Sequence, residues 1–328
     1  MRVIVYGLGA IGGAVAAHLV ESGADVAGVA RGAHLARIRA DGLRLLTPGR
    51  STTVRFPVAD DPAALKPGPD DVVILAVKSQ DTAGALAALR ATGRDMAVAC
   101  FQNGVANERA AARYFERVYG AVVMCPATHL EPGVVAVHSA RVPALFDIGR
   151  FPAGVDAGAE TLTAALAAAG FDTRAVPDVM RWKHTKLLLN LGNAAEALTG
   201  VNAREGRLAA LARAEGAACL DAAGIRFAST AEDRERRGDK LADLRPAGGQ
   251  AHVGSSTWQS LARGTGSVEA DWLNGEIVLL GRLTGFPTPV NALLQRLAAE
   301  FATSGRPPGT LAEDEILALL PGDRKAAG

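Results

Sequence analysis

"VYGLGAIGGAVAAHLVESGADVAGVAR" (residues 5–31) decides the fold. An apolar run ends at Tyr6, glycines follow at Gly7, Gly9 and Gly12 in the order G-x-G-x-x-G, a helical stretch runs from about Ile11 to Ser22, and a second apolar run reaches Arg31. Strand, glycine turn, helix and strand in this order make the first βαβ unit of a dinucleotide-binding sheet. The first glycine permits the tight turn, the second lets backbone approach a pyrophosphate, and the third lets helix and strand pack closely. The helix start then offers unpaired N–H groups and a partial positive charge to the phosphates. NAD-binding versions place an acid about 20 residues beyond the glycines to hold the ribose 2′-hydroxyl; here that place is taken by Arg31. A guanidinium cannot accept that bond, but it forms charge-assisted bonds to a 2′-phosphate. NADP(H) is therefore the expected cofactor, held by Gly7, Gly9, Ala10, Ile11, Gly12 and Arg31; the alternative for Arg31 is a plain surface residue at a strand end.

At 328 residues the chain exceeds what one core usually organises, so two domains are expected. Lys plus Arg (35) and Asp plus Glu (34) nearly cancel, which leaves no field to draw nucleic acid or anionic lipid. No run reaches the ~18 apolar residues of a spanning helix, and "MRVIVYG" enters a strand with no signal-peptide pattern, so a cytoplasmic protein without membrane or nucleic-acid partners is expected. Cys100, Cys125 and Cys219 lie far apart with no C-x-x-C spacing and are expected as buried, reduced thiols. The six histidines show no ligand spacing, so no metal is expected.

Through the first half, apolar β-branched runs alternate with helical stretches, the mark of a mainly parallel sheet. "GVVAVHS" and "ALFDIGR" lack long helices between them and are expected as one added antiparallel piece. After Pro177 strand-like runs give way to apolar residues at helical spacing, predicting helices near 180–198, 206–223, 256–263, 270–284 and 289–304. The expected architecture is α/β, a Rossmann-type parallel-sheet domain over 1–176 and an all-helical domain over 177–328. The charged run from Glu232 is expected as a solvated helix end and loop.

"KHTKLLLN" puts Lys186 and Asn190 four apart on one helical face, with Asn193 three further on. A lysine and two amides on so apolar a helix need partners, which a cleft supplies; a lysine snorkelling from the helix start is the alternative. A family resemblance joins these pieces. In order along the chain, "GLGAIGG", "AVKSQDT" with Lys78, "CFQNGVANE" with Asn103, "KLLLN", "SSTWQSLARG" with Ser256, "VEADWLNGEIV" with Glu269 and "GFPTPVN" resemble the 2-dehydropantoate 2-reductase (ketopantoate reductase) family over nearly the whole length. The resemblance implies an active site in a cleft between the two domains, where NADPH delivers hydride to C2 of a 2-oxo acid. Lys186 is implied as general acid; Asn103 and Lys78 near the nicotinamide ribose and substrate; Asn190 and Ser256 on the substrate's polar groups; and Glu269 near cofactor and lysine. Lys183 competes with Lys186 locally, and the K-x-x-x-N register favours Lys186.

Two departures bear on the substrate. The family's second asparagine falls on Ala194, and Asn193 sits one residue early, a rotation of about 100° on a helix. The stretch from Ser256 to Glu269 is one residue longer than the pattern, and Asn202 aligns only loosely as a further contact. Ketopantoate, in pantothenate synthesis, is the first expectation. The others are a different 2-oxo or hydroxy acid, or a non-catalytic NADP sensor. The oligomeric state is left open, a homodimer included.

Overall fold

The computed structural model describes residues 1–201, 203–249, 254–264 and 266–321. The main sheet is built first from β1 (Val3–Tyr6) and β2 (Val26–Val29). A hairpin, β3 (Leu43–Thr47) and β4 (Arg50–Val54), intervenes before β5 (Val58–Ala59), β6 (Val72–Leu75), β7 (Ala97–Cys100) and β8 (Val118–Met124). β9 (Ala127–Glu131) and β10 (Val134–Val137) then precede β11 (Leu145–Arg150) and β12 (Asp172–Ala175). The order across the eight-stranded sheet is β12-β11-β8-β7-β6-β1-β2-β5. From β5 to β8 all pairs are parallel, while β11 runs antiparallel to β8 and parallel to β12.

Successive apolar residues point to opposite sides of each strand and so build both faces of this sheet. Val3, Val5, Val26, Ile74 and Ala99 pack into one core with the helix α1 (Ala10–Glu21). The intervening Ile4, Ala27, Val73, Leu75 and Val98 face the other way, and after α2 (Gly32–Asp41) the helix α3 (Thr82–Ala91) covers them through Leu86 and Leu89. Strands so buried on both faces read as continuous apolar runs, which is why the sequence located them.

The expected antiparallel piece is two separate things. β10 belongs to a four-stranded sheet ordered β4-β3-β10-β9, while β11 extends the main sheet. Its residues Leu145 to Gly149 are buried, as an interior strand requires, whereas β10 pairs parallel to β3. Such long-range pairings leave no trace in local periodicity.

Helices continue with α4 (Asn107–Ala111), α5 (Ala157–Ala168), α6 (Val179–Asn190), α7 (Gly192–Thr199), α8 (Arg207–Ala222), α9 (Thr230–Arg237), α10 (Ser256–Ala262), α11 (Asn274–Thr284), α12 (Pro289–Ser304) and α13 (Glu313–Leu317). The single helix expected over 180–198 is broken at Leu191, beyond which Gly192 lets α7 lie against Ala209 of α8. The helix expected from 270 begins instead as a 3₁₀ turn, Glu269–Trp272, and bends at Leu273 (φ −113°, ψ −84°) into α11.

The chain divides into two compact units, and the division falls after Lys183 within α6 rather than at 176/177. Residues 229–249 return to the first unit. Several contacts hold them there: Arg236 of α9, nearly fully buried, binds Asp147 of β11 at 2.7 Å and Asp172 of β12 at 2.6 Å, the Ala140 and Arg245 amides donate to the carbonyls of Asp243 and His138, and Ala247 packs with Leu46 and Ala136. A capping box between Ser229 and Glu232 starts that helix, and Arg181 holds the same Glu232 at 2.7 Å, keeping its carboxyl near a pKa of about 2. The charged run expected as a solvated helix end and loop does form a helix, and it also carries a buried ion-pair anchor.

Of the three free cysteines, Cys100 and Cys219 are buried and Cys125 is half-buried. Burial raises all three thiols, Cys125 to about 12, so none is a ready thiolate at neutral pH.

Candidate active site

Strands β1, β2 and β6 are in register, Val3 opposite both Val26 and Val72, so Tyr6, Val29 and Leu75 end abreast. The chain runs from β1 outward to β2 and β5, then crosses back to β6 on the other side of β1. Such a reversal opens a crevice at the carboxyl ends of the strands, and the glycine loop leaves the sheet there.

Two of the three glycines are held to their type by contacts, and the middle one is not. Gly7 has φ +101°, and a Cβ on it would come within 2.8 Å of the Val77 nitrogen. A Cβ on Gly12 would overlap the Gly7 carbonyl oxygen, whereas one on Gly9 would meet nothing within 4 Å. The middle glycine thus faces open space, which a side chain would fill and a pyrophosphate can use. Gly9 is also the N-cap of α1, with no side-chain cap and no acid in the first turn, so the helix itself places no negative side chain at the N–H groups of Ala10, Ile11 and Gly12.

Arg31 ends the β2 segment as the N-cap of α2, with its side chain 73% exposed and 3.4 Å from Asp81. That contact links the ends of the two strands flanking the glycine loop. An exposed pair at this distance contributes little, so a phosphate can displace it.

Lys78 leaves β6 as the N-cap of a 3₁₀ turn, Ser79–Asp81, and Asn103 follows β7; both are half-buried. The two loops are sewn together by side chains that the sequence did not single out. Gln102 Nε2 donates to Thr82 Oγ1 at 2.9 Å, Thr82 Oγ1 donates to Asn107 Oδ1 at 2.8 Å, and Asn107 Nδ2 donates to Ser79 Oγ at 3.2 Å and to the Asn103 carbonyl at 3.1 Å. The clue available was two clusters of polar residues, "SQDT" and "QN", each shortly after an apolar strand.

Lys183 is fully committed. Buried on α6, its Nζ lies 2.5 Å from Glu108 Oε1 and donates to the carbonyls of Gln102 (2.9 Å) and Ala121 (3.3 Å). Burial pushes the Glu108 carboxyl up, and the ammonium opposes that rise. Lys183→Met, which strands the carboxylate, is expected to cost about 3–5 kcal/mol, whereas Lys183→Met with Glu108→Leu regains most of it. Thermal melts of the two variants check this.

In the second unit, Lys186 is half-buried and Asn190, one turn on, is 2% exposed. Asn193 lies buried on α7 and Ser256 opens α10; Ser255 Oγ donates to the Asn193 carbonyl at 3.4 Å, and the Ser255 amide donates to Glu196 at 2.9 Å. These bonds tie the Asn193 backbone to Ser255, at the start of α10. Asn193 Oδ1 and Ser256 Oγ are both buried without a hydrogen-bond partner among the described residues, a costly state unless a ligand supplies one. Glu269 is 7% exposed in its 3₁₀ turn. Asn202 and His252 lie outside the described residues. Gly7 to Gly12, Arg31, Lys78 and Asn103 thus belong to the first unit, and Lys186, Asn190, Asn193, Ser256 and Glu269 to the second.

Comparison with known proteins matches both halves of the chain. The family profile "Ketopantoate reductase PanE/ApbA" matches residues 3–152, and "Ketopantoate reductase PanE/ApbA C terminal" matches 178–302. The 2-dehydropantoate 2-reductase of Mesorhizobium japonicum is 33% identical over 340 residues, covering 92% of this chain and 98% of its own. The chain belongs to the ketopantoate reductase family. It is accordingly an oxidoreductase acting on a CH–OH/C=O pair. A ketopantoate reductase from Ralstonia eutropha JMP134 superposes with a TM-score of 0.77 at 30% identity, covering 93% of this chain and all of that one. A D-mandelate dehydrogenase bound to NADH and anilino(oxo)acetate shares the fold at a TM-score of 0.78 and 20% identity, covering 93% of this ketopantoate reductase family member and 99% of its own chain. No helix among the described residues is long and apolar enough to cross a membrane.

Proposed function

We propose that this chain reduces a 2-oxo acid with NADPH, 2-dehydropantoate first among them, as in pantothenate synthesis. The observation that carries the proposal is that a member of this family keeps Lys186 and Asn190 one turn apart on α6. The glycine loop fits the cofactor, since Gly9 faces open space at an uncapped helix start and a cation stands at the end of β2. Gly7, Gly9, Ala10, Ile11 and Gly12 would hold the pyrophosphate, Arg31 the 2′-phosphate, and Lys78, Asn103 and Glu269 the nicotinamide end.

When bound, reduced nicotinamide supplies hydride to the substrate's C2. Lys186 donates a hydrogen bond to the carbonyl oxygen, stabilises the negative charge that develops on it and gives up the proton. Asn190 and Ser256 bind the carboxylate and hydroxyl of the acid. The unpartnered Asn193 Oδ1 and Ser256 Oγ are the natural acceptors for a substrate hydroxyl. Monitoring NADPH oxidation with a panel of 2-oxo acids tests the proposal; ketopantoate is expected to turn over fastest. Binding of NADPH without turnover of any acid would leave a sensor instead.

One observation favours a second substrate. Ala194 stands where the family's second asparagine falls, and Asn193 approaches from another face of α7 beyond the break at Leu191. A hydroxyl placed differently from that of ketopantoate suits this pocket, so bulkier or aryl 2-oxo acids belong in the panel.

A further inference from the structure

His34 reaches the glycine loop from an element not yet assigned to it. It lies half-buried on α2, three residues after Arg31, with Nε2 2.7 Å from the carbonyl oxygen of Leu8, the residue between Gly7 and Gly9. Its other nitrogen, Nδ1, is 2.8 Å from the amide nitrogen of Gly133, in the turn joining β9 to β10. A carbonyl oxygen only accepts and an amide N–H only donates, so these contacts fix a neutral ring, protonated on Nε2 and bare on Nδ1. His129 of β9 brings its Nε2 to 3.1 Å from the same Nδ1, with ring centroids 4.2 Å apart. Gly133 is built for the approach: its φ is +80°, and a Cβ there would press on the Arg37 Cβ at 3.0 Å.

We propose that His34 is a positioning residue of the cofactor loop, a neutral imidazole that clamps the Leu8 carbonyl to the Gly133 turn of the second sheet, so that NADPH binds tightly only while Nδ1 is unprotonated. The inference rests on the NADP(H) assignment above. Protonated, Nδ1–H would confront the Gly133 N–H, two donors facing one another, and the clamp would open.

His129 touches the titrating Nδ1 directly, and the other charged groups lie on the elements packed around it. On α2, Arg31 is turned to Asp81 and Arg37 to Asp41. β1 contributes Tyr6, whose hydroxyl burial raises further; β9 contributes His129 and Glu131; and from β3 the Arg44 guanidinium is bonded to Ser51. Burial lowers His34 from the ordinary 6.5 of an imidazole, its bond to Leu8 acting the other way. With the folded value lowered, the neutral clamp is intact at pH 7 and is lost as pH falls below 6.5 through that folded value.

The test is fluorescence titration of the full chain with NADPH from pH 5 to 8, with steady-state kinetics and melting curves, for wild type, His34→Gln and His34→Leu. A glutamine amide offers a donor to Leu8 and an acceptor to Gly133 yet does not titrate. At pH 7.5 the glutamine variant is expected within about threefold of wild type, and the leucine variant about tenfold weaker, with kcat at saturating NADPH nearly unchanged. As pH falls below 6.5, wild type should lose affinity beyond the glutamine variant; the 2′-phosphate of NADPH also titrates near a pKa of about 6, but equally in both. Superimposed wild-type and glutamine curves overturn the proposal, as does a folded leucine variant that binds normally. If the leucine variant fails to fold, the wild-type and glutamine comparison decides alone. Parallel titrations with NADH separate the two inferences: binding of NADH alone rejects the NADP(H) assignment, and the same variants on NADH still decide the role of His34.

Discussion

Lys186→Ala is expected to lower kcat for the 2-oxo acid by about 10³-fold, while the affinity for NADPH stays within about threefold. On the mechanism proposed, the loss combines two roles of one ammonium, charge stabilisation on the carbonyl oxygen and delivery of the proton. Because one group performs both, the effect is that of a single removal, not a sum. Lys183 cannot step in, since Glu108 and two carbonyl oxygens already hold its ammonium. Lys186→Arg separates the roles: the guanidinium keeps the positive charge but releases no proton near neutral pH, so substrate KM should recover more than kcat. Steady-state kinetics with both variants, beside direct NADPH titration, read the result. A fall in kcat of less than about tenfold removes this lysine from the chemistry.

Arg31→Asp carries the second large effect. The ratio of kcat/KM with NADPH to that with NADH is expected to drop by about 10³-fold, because charge-assisted bonds to a phosphate are each worth about 1.5–3 kcal/mol and the aspartate adds repulsion. Part of this acts on NADH, for which an acid at the end of β2 can accept from the 2′-hydroxyl. The wild-type side chain is 73% exposed and only loosely paired with Asp81, so salt should weaken the preference, and the ratio is best measured at two ionic strengths. A wild-type enzyme that prefers NADH would overturn the assignment.

What the sequence made legible was whatever local pattern determines. The glycine turn, the runs buried on both faces and the amphipathic helices such as α8 and α12 lie near where period and punctuation put them. The breaks at Leu191 and Leu273 escaped because neither is marked by proline; each arises where a helix must meet a neighbour from a distant part of the chain. The same holds for the site. Lys186 and Asn190 are neighbours by helical period and could be read, whereas the joining of Ser79, Thr82, Gln102 and Asn107 into one network depends on adjacent strand ends. Lys183 looked like a rival acid because sequence shows no sign of Glu108, 75 residues earlier, lying 2.5 Å away. Nor could it show that His34 touches Gly133.

The return of α9 to the first unit has a practical sequel for anyone dissecting the gene. A fragment ending at residue 176 would lack Arg236 and Lys240, leaving Asp147 with Arg174 alone and Asp172 without either of its cations at the sheet margin. Dinucleotide titrations on such a fragment would report a damaged protein. Chimeras that exchange substrate preference between relatives need a discontinuous graft, swapping the stretches on either side of 229–249 while that insert stays with its native sheet.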